Sequence, residues 1–80
     1  MRRTALVTGA TGFVGGHLAE RLAAAGWTVR ALARATSDTR ALERLGAEVV
    51  RGGLDEVDAL AAAAAGADTV FHLAAAPTAA

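Results

Sequence analysis

Three glycines spaced three residues apart, Gly9, Gly12 and Gly15, are the part of this sequence best suited to chemistry. They follow a short apolar run and precede a helix-like run, so they lie at a strand-to-helix junction. There the first glycine permits a tight turn, the second lets backbone approach a diphosphate, and the third lets the helix pack closely. The new helix then directs its first N–H groups at the anion. The N–H groups expected to hold the diphosphate belong to Thr11, Gly12, Phe13 and Val14.

Composition excludes several other classes of function. The chain has 80 residues and a formal net charge of zero, so it forms at most one small domain without the basic surface typical of nucleic-acid-binding proteins. It has no cysteine, and its acids are spread singly, so neither disulfides nor a metal site are expected. Glycines interrupt the apolar stretch after Met1, and no run approaches the ~20 apolar residues of a membrane span. We therefore expect a cytoplasmic protein with no membrane or nucleic-acid partner.

Apolar runs of strand length alternate with longer helical patterns, which is typical of βαβ units in a parallel sheet. Right-handed crossovers and the doubly wound rule then predict the strand order β3-β2-β1-β4. The expected fold class is α/β, with the order β1-α1-β2-α2-β3-α3-β4. The predicted strands are residues 4–8 (β1), 28–33 (β2), 48–51 (β3) and 69–73 (β4), and the predicted helices are residues 12–25 (α1), 39–45 (α2) and 56–65 (α3).

Apolar residues recur at helical spacing in the first and third predicted helices, which indicates that each packs one face on the sheet. Arg30, inside the second predicted strand, is expected to be structural, with its charged end reaching toward solvent. The residues expected to face inward are Val14, Leu18, Leu22 and Ala25 in the first helix and Val57, Leu60 and Ala64 in the third.

The motif Thr8-Gly9-Ala10-Thr11-Gly12-Phe13-Val14-Gly15 resembles the cofactor fingerprint of the extended short-chain dehydrogenase/reductases, which include nucleotide-sugar epimerases, dehydratases and dihydroflavonol-reductase-like enzymes. Residues 29–34, 49–54 and 70–75 are similar to further stretches of that family, in the expected order. The resemblance covers nearly the whole chain but only the front of such an enzyme. It implies that residues 1–80 are the N-terminal part of a single, truncated NAD(P)-binding Rossmann domain without its substrate-binding region.

The loop after the second strand bears on the choice of cofactor. An NAD site places an acid about 20 residues past the fingerprint, to bond the ribose 2′-hydroxyl. Here Ala33 holds that position and Arg34 follows it. A guanidinium can bind a 2′-phosphate with two hydrogen bonds, and dihydroflavonol-reductase-like relatives often carry arginine here. We expect NADP, and NAD stays possible because loop side chains can be redirected.

Two further loops should reach the same edge of the sheet. Relatives place an aspartate and a hydrophobic residue where this chain has Gly53 and Leu54, and glycine cannot bond the adenine amino group. The lost bond costs about 1.5–3 kcal/mol, less whatever water replaces. Leu73, Ala74 and Ala75 are similar to a Leu-Ala-Ala stretch that passes the cofactor's riboses and nicotinamide in relatives. The alternative for these three residues is the end of a buried strand.

No catalytic residue is expected in this chain. His72 has no acid or nucleophile beside it in sequence, so we expect a partly buried histidine at a strand end. The sequence contains no tyrosine and no lysine, so the relatives' Tyr-x-x-x-Lys pair would lie beyond residue 80.

The resemblance therefore implies the NAD(P)-binding portion of an oxidoreductase or epimerase that acts on a nucleotide sugar or related carbonyl substrate. A non-catalytic NADP-binding sensor and an inactive gene fragment are the alternatives. Nothing in the sequence covers the outer edge of the fourth strand, so self-association through that strand is also expected.

Overall fold

The computed structural model describes residues 2–52 and 57–73, which form four strands and three helices. Every predicted element is present, and no boundary differs from the prediction by more than one residue. The strands are β1 (Thr4–Thr8), β2 (Thr28–Ala33), β3 (Glu48–Arg51) and β4 (Thr69–His72), and the helices are α1 (Phe13–Ala24), α2 (Arg40–Arg44) and α3 (Val57–Ala64).

The strands form one parallel sheet in the order β3-β2-β1-β4, which confirms the predicted topology. The chain adds β2 and β3 on one side of β1 and then crosses back to place β4 on the other side. The point between β1 and β4 is therefore the switch point of the sheet, where a ligand crevice is expected. The register brings the strand ends together there. Thr8 lies opposite Leu32 on one side and His72 on the other, and Ala33 lies opposite Arg51.

The sheet separates two small apolar clusters. On β1, Ala5 and Val7 point to the face covered by α1 and α2, while Leu6 points to the face covered by α3. Buried alanines let the helices approach the sheet closely, so the core depends on short side chains. The first cluster contains Ala5, Val7, Ala10, Ala19, Leu22, Val29, Ala31 and Leu42, and the second contains Leu6, Leu32 and Ala63.

The predicted inward face of α1 is partly wrong. Val14 is 66% exposed, and Ala25 is also exposed. Val14 lies in the first turn of α1, which packs on the preceding loop through its neighbour Gly15. Small residues take its place against the sheet. The buried residues of α1 are Gly15, Ala19 and Leu22, and Leu18 is partly buried as predicted.

The same kind of error occurs in α3. Val57 is 74% exposed in the first turn of that helix, whereas Ala63 is fully buried. Leu60 and Ala64 are partly buried against the second cluster, as predicted. Alanine is a weak indicator of a buried face because it is common on exposed and buried faces alike. The prediction therefore followed the larger apolar residues, and it placed the buried face part of a turn away from its actual position.

Arg30 has the structural role expected of it, but its charged end does not reach toward solvent, because the side chain is only 18% exposed. Its Nη1 donates to the carbonyls of Ala63 (2.7 Å) and Ala65 (2.6 Å), at the end of α3 where helix carbonyls have no partner of their own. Its Nε lies 3.3 Å from Glu48 Oε1, as an ion pair without hydrogen-bond geometry. The side chain thus attaches α3 to the sheet.

No helix within residues 2–52 and 57–73 is long and apolar enough to cross a membrane.

Candidate functional site

The loop between β1 and α1 is a tight turn closed by its own backbone. Gly9 has a backbone φ of +75°, a conformation that residues with a Cβ rarely adopt. The Gly12 N–H donates to the Gly9 carbonyl at 3.0 Å. Gly12 is then the extended N-cap of α1, and its carbonyl accepts the Gly16 N–H at 2.8 Å as the helix begins. The sharp reversal carries the chain from the end of β1 straight into the helix.

Gly15 lets the first turn of α1 lie against this loop. A Cβ at position 15 would come within 2.7 Å of the Gly9 carbonyl carbon and 2.9 Å of the Ala10 Cα. Both are backbone atoms that cannot rotate away. The third glycine therefore has the close-packing role expected of it, although it packs on the turn rather than on the strands of the sheet.

The amides at the start of α1 are open to a ligand. An α-helix leaves its first N–H groups without intrahelical acceptors. Gly12 provides no side chain to cap them, and the first turn contains no acidic residue. Thr11, Gly12, Phe13 and Val14 are all exposed, and of their four N–H groups the one at Gly12 donates to the Gly9 carbonyl. A free helix N-terminus of this kind attracts an anion by both hydrogen bonding and the helix dipole.

A groove connects this turn to the loop that follows β2. Its volume is about 270 Å³, and it runs between α1 and α2. Thr11, Gly12 and Phe13 line one side of the groove, and Asp38 and Leu42 line the other. The glycine turn and part of the loop after β2 therefore border one concave surface, but Arg34 does not line it.

Arg34 opens the loop after β2 with an exposed side chain. Ala33 before it is only 4% exposed, and it occupies the position where an NAD site would carry an acid. Within the part of the chain that the structure describes, no hydrogen bond or ion pair engages the Arg34 guanidinium. The side chain is therefore available to an anion at the carboxyl edge of the sheet.

Asp38 is the acid in this loop, and Arg40 engages it fully. The Arg40 Nε lies 3.0 and 3.2 Å from the two carboxylate oxygens, its Nη2 lies 2.7 Å from Oδ2, and its backbone N–H also donates to Oδ1. These hydrogen bonds lower the pKa of Asp38 from 3.8 to about 2. The same contact raises the pKa of Arg40. The carboxylate is therefore ionised, and it forms an exposed ion pair with Arg40.

Arg51, the last residue of β3, contacts this loop and was not among the predicted site residues. Its guanidinium donates to carbonyl groups in the segment between Arg34 and Ser37. No sequence pattern indicates these contacts, since the partners are backbone atoms 14–17 residues earlier in the chain. The only available signal was a charged residue at a predicted strand end.

The end of β4 is attached to the start of the glycine turn through Thr8. The Thr8 hydroxyl lies 3.0 Å from His72 Nδ1, and the Leu73 N–H lies 3.2 Å from both the hydroxyl and the carbonyl of Thr8. His72 ends the strand as predicted, but it is exposed rather than partly buried. The difference arises because β4 has only β1 beside it in the described sheet.

Four of the predicted cofactor contacts lie outside the described residues: Gly53, Leu54, Ala74 and Ala75. The residue before the first of them, Gly52, is buried, and its N–H donates to the Ala33 carbonyl at 2.8 Å. Within residues 2–52 and 57–73 there is no group of three histidine, cysteine or acidic side chains that could hold a metal ion.

Comparison with known proteins identifies the family. The profile of the NAD dependent epimerase/dehydratase family matches residues 5–80. The chain belongs to this family. Among curated members, it is 46% identical over 70 residues to a 3 beta-hydroxysteroid dehydrogenase/Delta 5-->4-isomerase of Mycobacterium tuberculosis. That match covers 88% of this chain and 18% of the mycobacterial protein. The chain spans about one fifth of the length of the curated relatives it matches.

Solved structures of the epimerase/dehydratase fold include relatives with either cofactor bound. A short-chain dehydrogenase/reductase superfamily protein of Agrobacterium tumefaciens with bound NAD is 36% identical, with a TM-score of 0.75, and the match covers 98% of this chain and 22% of that one. AtPrR2 with NADP+ and (+)pinoresinol is 25% identical, with a TM-score of 0.79 and coverage of 94% and 27%. These neighbours support the Rossmann-type fold already evident from the strand order.

Proposed function

We propose that this chain binds NADP(H) as the nucleotide-binding portion of an oxidoreductase or epimerase that acts on a nucleotide sugar or related carbonyl substrate. The observation that carries the proposal is the turn between Gly9 and Gly12, which leaves the first amides of α1 exposed and uncapped. In a Rossmann-type sheet this place lies beside the switch point between β1 and β4. A diphosphate there would accept hydrogen bonds from the N–H groups of Thr11, Phe13 and Val14, whereas the Gly12 N–H already donates to the Gly9 carbonyl.

The proposed contacts follow the four loops at the carboxyl edge. The glycine turn would hold the diphosphate, the loop after β2 the adenosine ribose, the loop after β3 the adenine, and the stretch after β4 the other ribose and the nicotinamide. The proposed cofactor-binding residues are Gly9, Thr11, Gly12, Phe13, Val14, Gly15, Arg34, Gly53, Leu54, Leu73, Ala74 and Ala75.

The preference for NADP rests on charge around the adenosine ribose. Arg34 is exposed and has no carboxylate partner among the described residues, and Ala33 presents no acid to repel a 2′-phosphate. Asp38, the acid of this loop, has both carboxylate oxygens hydrogen-bonded to Arg40, with which a ribose 2′-hydroxyl would have to compete. Since solved relatives include one with NAD and one with NADP+, the preference must come from local residues of this kind.

The roles assigned to this chain are binding and orientation. Residues 1–80 would form the N-terminal part of a single nucleotide-binding domain. A bound nicotinamide supplies or accepts hydride, and no acid or base for that step is assigned among these residues. A Tyr-x-x-x-Lys pair encoded in the same reading frame would supply it, and its absence from a longer frame would favour an NADP-binding sensor.

Calorimetric titration with NADPH tests the proposal. The unmutated chain should bind weakly, and Gly12→Val should abolish binding, because a branched side chain would cover the amides that the diphosphate must approach. A Cβ at Gly12 already lies only 3.3 Å from the Gly9 carbonyl oxygen. Ala24→Val is the matched control, since it introduces the same branched side chain at an exposed position at the other end of α1. Absence of NADPH binding by the folded, unmutated chain would refute the proposal.

Self-association is a separate part of the proposal. In the described sheet β4 pairs with β1 alone, and Val70 and Leu73 are 50% and 40% exposed on and beside it. An outermost apolar strand presents unpaired backbone groups to other strands. Two copies of the chain could therefore pair through this edge.

A further inference from the structure

The guanidinium of Arg51 is surrounded by hydrogen-bond acceptors from the loop that follows β2. Its Nη1 donates to the carbonyls of Arg34 and Ser37, each at 2.9 Å, with a longer contact of 3.4 Å to Ala35. Its Nη2 donates to the Thr39 hydroxyl at 2.9 Å. One side chain therefore makes contacts along the whole segment between β2 and α2.

The sheet places Arg51 where it can make these contacts. Arg51 lies opposite Ala33 in the parallel register of β3 and β2. The next residue, Gly52, donates its N–H to the Ala33 carbonyl at 2.8 Å, which extends the pairing past the strand ends. The chain leaving β2 at Arg34 consequently bends around the end of β3, with its carbonyls facing the guanidinium. Five donors in a planar fork suit such a set of acceptors better than an ammonium would.

The Thr39 hydroxyl extends this connection into α2. It accepts from Arg51 and donates to Glu43 Oε2 at 2.9 Å, which uses its hydrogen and one of its lone pairs. Thr39 is only 3% exposed, so its hydroxyl is a buried polar group, and loss of its hydrogen-bond partners would destabilise the fold. Arg51 thus fixes both ends of the 34–39 segment, at the Arg34 carbonyl and at the N-cap of α2.

The charge of Arg51 is not neutralised by these contacts. Its partners within residues 2–52 and 57–73 are carbonyl and hydroxyl oxygens, and none is a carboxylate. Arg34, whose carbonyl it holds, likewise has no carboxylate partner in that part of the chain. Arg51 is therefore linked to the carboxylate of Glu43 only through the Thr39 hydroxyl. An anionic group bound beside this loop would interact favourably with both arginines.

We infer that Arg51 is a positioning residue for the 2′-phosphate of the cofactor, a role that rests on the proposed NADP site. By holding the carbonyls of residues 34–37 behind the loop, it keeps the Arg34 side chain directed outward to the phosphate, and its own charge adds to the attraction. A residue that merely stabilised the loop would affect cofactors with and without a 2′-phosphate alike. Arg51 affects the phosphorylated cofactor selectively.

The test is to measure the Kd of NADPH and of NADH, which differ only in the 2′-phosphate, for the unmutated chain and its variants. Arg51→Gln should raise the Kd of NADPH about tenfold, the usual loss for a charged hydrogen-bonding group. It should raise the Kd of NADH less than about twofold. Arg51→Lys should weaken NADPH about threefold, since an ammonium keeps the charge but not the planar fork. Arg21→Gln, an exposed arginine in the last turn of α1, is the matched control and should leave both constants unchanged.

A double variant shows whether Arg51 acts through Arg34. In an Arg34→Gln background, Arg51→Gln should raise the Kd of NADPH by less than about threefold, because the Arg34 guanidinium that Arg51 positions is already absent. A full tenfold additional loss in that background would overturn the positioning role.

The remaining outcomes separate this inference from the function on which it rests. Equal weakening of NADPH and NADH by Arg51→Gln, or no weakening of either, would overturn the inference and leave NADP(H) binding intact. If the folded unmutated chain bound neither cofactor, the proposed function itself would fail, and the role of Arg51 with it. If circular dichroism shows that Arg51→Gln does not fold, the test depends on Arg51→Lys instead. A ratio of the NADPH and NADH dissociation constants in Arg51→Lys equal to that of the unmutated chain would then overturn the inference.

Discussion

Gly15 of α1 lies directly against the peptide of Gly9, so closely that a Cβ at position 15 would come within 2.7 Å of the Gly9 carbonyl carbon. Gly9 itself has φ +75°, which favours glycine. The two residues therefore depend on each other: the left-handed turn places the Gly9 carbonyl in the path of the helix, and the missing side chain of Gly15 lets the helix pass. The orientation of the uncapped amides follows from this contact.

Gly15→Ala should disturb the turn and lower the stability of the chain. The added methyl group has only backbone atoms as neighbours, and overpacking of this kind costs about 1–3 kcal/mol. Urea unfolding followed by circular dichroism gives the change in free energy. Gly16→Ala, one residue further along α1, should instead be neutral or stabilising by up to about 1 kcal/mol, as expected for glycine replaced by alanine in a helix. Equal stabilities for the two variants would contradict the close contact.

Replacing Arg34 should change the cofactor preference without changing the fold. Arg34→Gln should weaken NADPH by about tenfold or more, because a charge-assisted and geometrically matched contact to phosphate is lost. NADH should be affected less than about twofold. Arg34→Glu should weaken NADPH further by repulsion, and parallel calorimetric titrations with the two cofactors measure both effects.

Arg44→Gln is the control for this pair of variants, since it removes one exposed positive charge from the neighbouring helix α2. It should leave the ratio of the two dissociation constants unchanged. A loss of NADPH affinity in Arg44→Gln as large as in Arg34→Gln would mean that general surface charge, rather than Arg34, sets the preference.

The strands could be predicted from the sequence because each has a short apolar run with a defined beginning and end. The bounds of β1, β2 and β3 are as predicted, and the order β3-β2-β1-β4 followed from the handedness of the crossovers. The spacing of Gly9, Gly12 and Gly15 was also sufficient to predict the turn, because positive φ and close packing both select glycine strongly.

Contacts made by small or backbone groups could not be predicted in this way. Ala19 and Ala63 are fully buried, but alanine is too common in this chain to mark a buried face, and Val14 and Val57 were placed inward in error. Arg51 presents the same difficulty at the site. Its partners are mostly main-chain carbonyls, which every residue possesses, so only the folded loop shows that they converge on its guanidinium.

Asp38 should titrate well below an ordinary aspartate. Hydrogen bonds from Arg40 lower its pKa to about 2 in the folded chain, against an ordinary value of 3.8. Because the folded-state pKa is the lower one, the contribution of ionised Asp38 to stability is fully present above pH 3.8 and is lost as the pH falls toward 2. The carboxyl ¹³C shift of Asp38 should give a midpoint near 2, and in Arg40→Gln the midpoint should rise toward 3.8.

Arg44→Gln serves as the control for this titration as well, because Arg44 acts on Asp38 only through a weak long-range attraction. In Arg44→Gln, the titration midpoint of Asp38 should stay close to its value in the unmutated chain. An ordinary midpoint for Asp38 in the unmutated chain would show that the ion pair with Arg40 does not form in solution.

Introducing a charge on β4 should reduce self-association. This strand pairs with β1 alone in the described sheet, and Val70, half exposed on it, lies opposite Leu6 in the register. Lysine on an outermost strand opposes pairing with another chain, because its charge would be desolvated there. Sedimentation velocity should show the unmutated chain as oligomers, and Val70→Lys should shift it toward the monomer. Val57→Lys changes an exposed valine on α3 and should leave the oligomers in place. An unmutated chain that sediments as a single monomeric species would contradict pairing through β4.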